Sequence, residues 1–312
     1  MPPVPEPTAS LIVPAYDEAP RLAAGYARLA PTLELLGPGL EVVIVDDGSR
    51  DGTADEARRV YGALGPLVVR HPHNRGKGAA VATGIRHATG ARLLVVDADM
   101  AIDPEHYPSL LAGLDEADVV PGSRADAGHI RYTSRSRTWA GRGFNLLVRH
   151  YAGVRLADTQ CGAKALRGGA GRLLALLATI DGFAYDAEYL HLAQRLGMRV
   201  EPRRVGWRDV GGSTVRLSRA PLDMLGDLRR IRRTAYALPA VTLPAGRPAS
   251  ALALVAAAAG ATGAVVARGV NHDLLVVARD QVDTLPALAR DLGGETVVAT
   301  LDALAQRDYA PL

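Results

Sequence analysis

The sequence predicts an α/β fold, a mostly parallel sheet covered by helices on both faces, with a small C-terminal α/β appendage. Three observations carry this. Short β-branched runs alternate with helical patterns from Ser10 to Val120, as consecutive β-α-β units do. Polar clusters rich in Asp and Gly follow the apolar runs, at the sheet edge where open parallel sheets hold ligands. The alternation fades after Arg124, and an Ala-rich tail begins at Ser250 behind Pro239, Pro244 and Pro248.

Element by element, Leu11-Ile12-Val13 is the first strand and a helix follows from about Glu18 to Leu36. Val42 to Val45 leads to a helix near Thr53 to Leu64, and Leu67-Val68-Val69 leads to one from about Gly78 to Thr89. Leu93 to Val96 precedes a helix from about Pro104 to Leu114, and Val119-Val120 is a further short strand. An Arg-rich stretch (Arg131, Arg135, Arg137, Arg142) then precedes a helical pattern through Phe144, Leu147 and Val148. Gly182 to Leu196 reads as a helix and Arg199 to Val205 as a strand.

The 312 residues suffice for one large α/β domain and an appendage. Residues 1–9 read as a disordered segment, 10–215 as the main domain, 216–238 as a basic amphipathic helix, 239–249 as a Pro-rich linker and 250–312 as the accessory tail. The net charge of +3 is mild and gives no nucleic-acid footprint. It is also local: between Arg216 and Arg233 six Arg face only Asp223 and Asp227, so the remainder is slightly acidic. Cys161 is the only cysteine, which excludes an intrachain disulfide and points to a reducing, cytoplasmic setting. Met1 to Thr8 lacks the basic and apolar regions of a signal peptide. Ala249 to Ala267 is uncharged but built of Ala and Gly, and reads as non-spanning.

The chemistry lies in four clusters: Pro14-Ala15-Tyr16-Asp17-Glu18, Asp46 to Thr53, Asn74-Arg75-Gly76-Lys77-Gly78, and Asp97-Ala98-Asp99. Each alone is ordinary turn or cap chemistry. Together on one edge they describe a nucleotide site. A carboxylate accepts a pyrimidine imide N–H, another takes ribose hydroxyls, and an Asp-x-Asp pair suits a hard cation bridging a diphosphate. A Gly-rich helix start with Arg75 or Lys77 offers N–H groups and positive charge. The absence of a Gly-Lys-Ser/Thr loop, and of Gly-x-Gly-x-x-Gly after the first strand, argues against a P-loop NTPase and an N-terminal dinucleotide dehydrogenase.

The runs PAYDEAPRL, VVIVDDGSRDGT, NRGKGAAVATGIRHATG and VVDADM resemble the inverting family 2 glycosyltransferases of GT-A fold, the Rossmann-like fold of nucleotide-diphospho-sugar transferases. PGSR, ADTQCGAKAL, GFAYDAEYLHLAQRLG and VGWRDVGGSTV are similar to the polyprenyl- or dolichyl-phosphate glucosyltransferases, near the dolichyl-phosphate mannose synthases. The resemblance covers about Ser10 to Arg233. It implies that Pro14, Tyr16 and Glu18, with Asp46 or Asp47, hold base and ribose, and that Lys77 serves the donor. Asp97 would stay near ribose and sugar, and Asp99, with Asp97 beside it, would ligate Mg2+ or Mn2+. Asp186 and Glu188 match the second acidic motif and would face the acceptor. Arg124, Arg135 and Lys164 would neutralise phosphate, and Trp207 and Ser213 lie in the block that closes over the donor. Asp17 stands where the family often has Asn.

The implied activity is metal-dependent, inverting transfer of a hexose, glucose first, from a UDP-sugar to polyprenyl phosphate. A phosphate nucleophile is already anionic, so in-line positioning and stabilisation of the leaving UDP suffice. A hydroxyl acceptor on a small metabolite or glycan needs a base, for which Asp186 is the candidate. A GDP-mannose enzyme, a nucleotide-sugar-binding module without turnover and a nucleotidyltransferase are the other readings. Leu222, Leu225, Leu228 and Ile231 recur every third residue among arginines, which reads either as an interfacial helix with its apolar stripe at the inner face of the membrane or as an ordinary amphipathic helix packed on the sheet with a solvated Arg face. A homodimer is compatible with the sequence. The tail resembles, faintly, the opening β-α-β of a short-chain dehydrogenase, without a Tyr-x-x-x-Lys pair, and is expected to be non-catalytic.

Overall fold

The computed structural model describes residues 7–37, 39–124, 147–154, 156–208, 220–261, 263–270, 272–305 and 307–311. Strands β1 (Ala9–Ala15), β2 (Glu41–Asp46), β3 (Leu67–Arg70), β4 (Arg92–Val95), β5 (Val119–Ser123), β6 (Lys164–Arg167) and β7 (Arg203–Arg204) form one sheet, ordered β3-β2-β1-β4-β6-β5-β7. Its first four strands pair in parallel, as do β5 and β7, while β6 runs antiparallel to both β4 and β5.

Both faces of the sheet are buried along the inner strands, and their residues alternate accordingly. Leu11 and Val13 pack beneath α1 (Ala19–Leu29), α2 (Thr53–Tyr61) and, after α3 (Lys77–His87), α4 (Tyr107–Gly113). Ile12, Val43, Val45, Leu93 and Val95 face α3, a helical segment at 147–152 (α5), α6 (Gly168–Leu177) and α7 (Tyr185–Arg195). Each such fully buried Val, Leu or Ile contributes about 1.5–3 kcal/mol. The expected strand at 199–205 is only β7 plus an isolated bridge from Val200 to Val119, because Pro202 lacks the N–H a ladder needs.

The basic helix α8 (Ala220–Arg233) packs its stripe inward: Leu228 and Ile231 are buried in the core, whereas Arg229, Arg230, Arg232 and Arg233 are exposed. The part of the apolar stripe formed by Leu228 and Ile231 is therefore spent on the protein rather than on a bilayer. The side chain of Leu222 lies outside the described residues. Among the described residues no helix is long and apolar enough to cross a membrane.

The chain then builds a second sheet from β8 (Ala237–Pro244), β9 (Val265–Arg268), β10 (His272–Val276), β11 (Glu295–Thr300) and β12 (Asp308–Pro311), ordered β11-β8-β10-β9-β12 and antiparallel throughout. With α9 (Ala249–Ala258) and α10 (Leu285–Leu292) it makes a split β-α-β-β-α-β unit, with β12 added at one edge. Two expectations are corrected here. The Pro-rich stretch is strand β8 rather than a linker, because Leu238 and Ala240 bury on one face and Val241 and Leu243 on the other. The dehydrogenase-like opening is not formed, since the short β9–β10 connection permits only an antiparallel hairpin, and β10 lies between β8 and β9. One face of this sheet packs on α6, all of whose ten residues are buried, and α9 and α10 cover the other.

Candidate active site

The turns after β1 and β2 are stapled together. The Asp17 N–H donates to Ser49 Oγ (3.0 Å), Asp17 Oδ1 accepts from the Arg50 N–H (2.9 Å), and the Glu18 N–H donates to Thr53 Oγ1 (2.9 Å). Asp17 has a left-handed backbone, φ 51°, which Asn and Asp both tolerate; its place in the motif is explained. Pro14 is buried at the end of β1, and Tyr16 is half-buried beyond it.

Asp46 and Asp47 are both buried but not equivalent. Asp47 is consumed: its oxygens accept from the Arg75 N–H (2.9 Å) and Gly76 N–H (2.8 Å), and His71 Nδ1 lies 2.7 Å from Oδ1. It therefore builds the 71–76 loop rather than facing a ligand. In Asp46, Oδ1 accepts from the Ser49 N–H (2.8 Å), while Oδ2 makes no hydrogen bond and has Arg70 Nε 3.2 Å away outside hydrogen-bonding geometry. A buried carboxylate oxygen without a hydrogen bond suits an incoming N–H donor.

The glycines of the third cluster serve a different neighbour from the one expected. A Cβ at Gly76 or Gly78 would strike the carbonyls of Asp181 and Ile180, and the Ala79 N–H donates to Asp181 O at 3.2 Å. The start of α3 is thus covered by the loop before α7 rather than left open as an anion cradle. Lys77 reaches the other way, donating to Asp97 Oδ1 at 2.5 Å.

Asp97 and Asp99 differ in electrostatics. Burial pushes Asp97 up, but Lys77, Lys164 and Arg124 outweigh it and hold its carboxyl below the usual range. Gly162 packs against the Asp97 carboxylate, and a Cβ there would displace Asp97 Oδ2. Burial and the neighbouring Asp97 push Asp99 up, against one hydrogen bond from the Ala101 N–H (3.0 Å). Glu18, bound by the Arg21 guanidinium (2.5 and 2.7 Å), is pushed up to about 6 by burial, with Asp99 and Asp97 adding to the shift.

Across from this corner Lys164 and Asp186 form a buried ion pair, and Lys164 Nζ also donates to Cys161 O (3.1 Å) and Tyr185 Oη (3.3 Å). Arg124 is clasped by Asp158 through its own N–H (3.0 Å), Nε (2.7 Å) and Nη2 (2.9 Å). Glu188 does not face an acceptor. It is fully buried and accepts from the Thr179 N–H and Oγ1, the Ile180 N–H and the Tyr236 hydroxyl. Trp207 bridges to Ile102, and the flanking Gly206 and Arg208 bond Asp103 and Ala101, so residues 206–208 lie directly on the loop after Asp99. Arg135 and Ser213 lie outside the described residues.

Asp158 and His71 are the residues that sequence reasoning missed. Asp158 stands in the ADTQCG block, two residues before Gln160, whose carbonyl Arg124 also reaches (3.1 Å). His71, buried between Asp47 and Thr83 Oγ1 (2.9 Å), carries no pattern that marks it.

The donor set fits a hard divalent cation. Lys77, Arg124 and Lys164 each spend their charge on a carboxylate, while the Asp97 charge raises both Asp99 and Glu18, and Asp99 raises Glu18 further. Among the described residues no three His, Cys, Asp or Glu side chains form a metal-binding group. One or two carboxylates plus substrate oxygens and water is the Mg2+-type arrangement.

Residues 10–169 match the family described as glycosyl transferase family 2. The dolichyl-phosphate beta-glucosyltransferase of Drosophila melanogaster is 34% identical over 221 residues, covering 65% of this chain and 68% of that protein. The Mus musculus protein of the same name is 34% identical over 241 residues, covering 72% and 74%. Among solved structures, glucosyl-3-phosphoglycerate synthase from Mycobacterium tuberculosis in complex with Mn2+, UDP-glucose and phosphoglyceric acid aligns with a TM-score of 0.52 at 20% identity, covering 72% of this chain and 78% of that one. That likeness is one of fold.

Proposed function

The chain belongs to glycosyl transferase family 2 and has the GT-A fold, and from that premise we propose that it transfers glucose from UDP-glucose to a polyprenyl phosphate with inversion. The relatives named as dolichyl-phosphate beta-glucosyltransferases support the donor sugar and the acceptor class. The observation that carries the choice of acceptor is the Lys164–Asp186 pair. A carboxylate already engaged by a buried ammonium is poorly placed to take a hydroxyl proton, and a phosphate nucleophile has no proton to give up.

In this reading Asp46 Oδ2 accepts the uracil imide N–H, and Glu18 takes a ribose hydroxyl. Pro14, Tyr16 and Trp207 wall the donor. Asp99 holds Mg2+ or Mn2+, which supplies charge neutralisation for the leaving diphosphate. Lys77 fixes Asp97 against the sugar side. An acceptor phosphate oxygen forms the new bond to the anomeric carbon as the bond to UDP breaks, and the electron pair leaves on the β-phosphate oxygen. Single displacement converts the α-linked donor to a β-linked product, and positioning dominates the rate. Arg124 and Lys164 orient the acceptor through the groups they hold. The exposed arginines of α8 are the contact with an anionic membrane surface at the cytoplasmic face.

The test is a panel of nucleotide sugars with undecaprenyl or decaprenyl phosphate and Mn2+, with products read by mass spectrometry. Glucosyl phospholipid formed from UDP-glucose alone is the expected outcome; transfer only to hydroxyl acceptors would reject the proposal. Asp186→Asn should retain transfer to within about ten-fold, whereas loss of a general base would cost up to about 10⁴.

A further inference from the structure

The loop at 178–184 joins α6 to α7 and is gripped from outside the main sheet. Arg279, which follows β10, donates from Nη1 to Leu176 O (3.2 Å) and from Nη2 to Leu177 O (3.3 Å), occupying the last carbonyls of α6. Tyr236, one residue before β8, donates its hydroxyl to Glu188 Oε1 (2.9 Å). Glu188 in turn holds the Thr179 and Ile180 N–H groups at 2.9 Å each. Burial pushes the Arg279 guanidinium down, and Glu188 and Tyr236 oppose this, so the three groups form one electrostatic cluster.

The far side of the same loop touches the site. Asp181 O accepts from the Ala79 N–H, and Gly76 and Gly78 admit the loop with no room for a Cβ. Between those two glycines Lys77 holds Asp97. At its end the loop delivers Tyr185 and Asp186 to Lys164. An unbroken series of hydrogen bonds and close contacts thus runs from the C-terminal unit to both halves of the site.

We propose that the C-terminal split β-α-β unit is a clamp on the 178–184 loop, and that Tyr236 and Arg279 are positioning residues for glycosyl transfer. The inference rests on the reading of Lys77, Asp97, Lys164 and Asp186 as the working groups. The unit lies beyond residues 10–169, the stretch that matches the family.

Tyr236→Phe, Arg279→Gln and the double variant test it in the full chain. Hydrogen exchange without substrate should rise at 178–181 and at 76–79 while β1 and β2 stay protected. With UDP-glucose, Mn2+ and polyprenyl phosphate, kcat should fall about five-fold in each single variant and further in the double. The KM for UDP-glucose should stay within about two-fold, and Arg279→Lys should recover most of the loss. Unchanged kcat in a folded double variant, or a loss that vanishes when each protein is assayed equally far below its own Tm, would overturn the clamp. If the wild-type protein transfers none of the sugars offered, the functional reading fails, and the exchange at 76–79 still decides the clamp: a rise there supports it, and a rise confined to the C-terminal unit overturns it.

Discussion

Lys77 Nζ donates to Asp97 Oδ1 at 2.5 Å, tying the first residue of α3 to the residue two beyond the end of β4. The Asp97 and Asp186 charges hold the Lys77 ammonium above its usual range despite its burial. Replacing it by Met leaves Asp97 without its nearest cation, and a carboxylate so stranded protonates or moves. We expect Lys77→Met to lower kcat/KM by about 10²-fold or more, with Lys77→Arg intermediate. A Lys77→Met enzyme with near-normal steady-state constants would remove the pair from the mechanism.

Asp99 is held at a cost, since burial and Asp97 both disfavour its charge. A folded-state carboxyl raised above its unfolded value weakens the fold as pH climbs through that interval. Asp99→Asn abolishes that cost, so the metal-free variant should melt at or a few degrees above the wild-type Tm at pH 7.5. Its Mn2+ affinity in the presence of UDP should fall at least about ten-fold by calorimetry. A destabilised variant with intact Mn2+ binding would mean that Asp99 is structural.

Glu18 gives the pH dependence its sign. Its carboxyl sits at about 6, against an ordinary 4.5, through burial with Asp99 and Asp97 adding and Arg21 opposing. The folded chain keeps a proton that the unfolded chain releases, so the ionised group costs about 2 kcal/mol once the pH exceeds 6. Glu18→Gln should therefore raise Tm at pH 7.5 and change it little at pH 4.5. In turnover, donor kcat/KM should decline below about pH 6 as the ribose acceptor protonates, and Glu18→Gln should flatten that limb. An unshifted limb in Glu18→Gln would assign it to another group.

The sequence told much of the main sheet and less of its side-chain partners, for identifiable reasons. Leu11 to Val13 and Val42 to Val45 announce strands because both faces are buried and every position is apolar. The acidic clusters were legible because they sit where strands end. What a carboxylate touches depends on contacts far along the chain. Asp46 and Asp47 are adjacent, yet only Asp47 is saturated, by N–H groups 28 and 29 residues away. Glu188 looked like the twin of Asp186, but two positions along a helix turn a side chain by about 200°, and it meets Thr179 and Tyr236 instead. The prolines of β8 disguised a strand whose alternating burial depends on α6 and α10 on either side.

The arginine face of α8 yields the last expectation. Leu228 and Ile231 are buried, so the helix cannot trade its stripe into a bilayer while the fold is intact. Arg229, Arg230, Arg232 and Arg233 remain exposed, and each guanidinium near an anionic surface contributes about 1 kcal/mol. Attraction of that kind is screened over a Debye length of about 10 Å at 0.1 M salt. The intact chain should therefore float with phosphatidylglycerol-containing vesicles at low salt, release at roughly 0.5 M salt, and ignore neutral phosphatidylcholine vesicles. Charge reversal at Arg229 and Arg230 should abolish flotation without moving Tm, because neither side chain is packed. Binding that survives both high salt and charge reversal would mean that apolar insertion, and not the guanidinium row, holds the protein to the membrane.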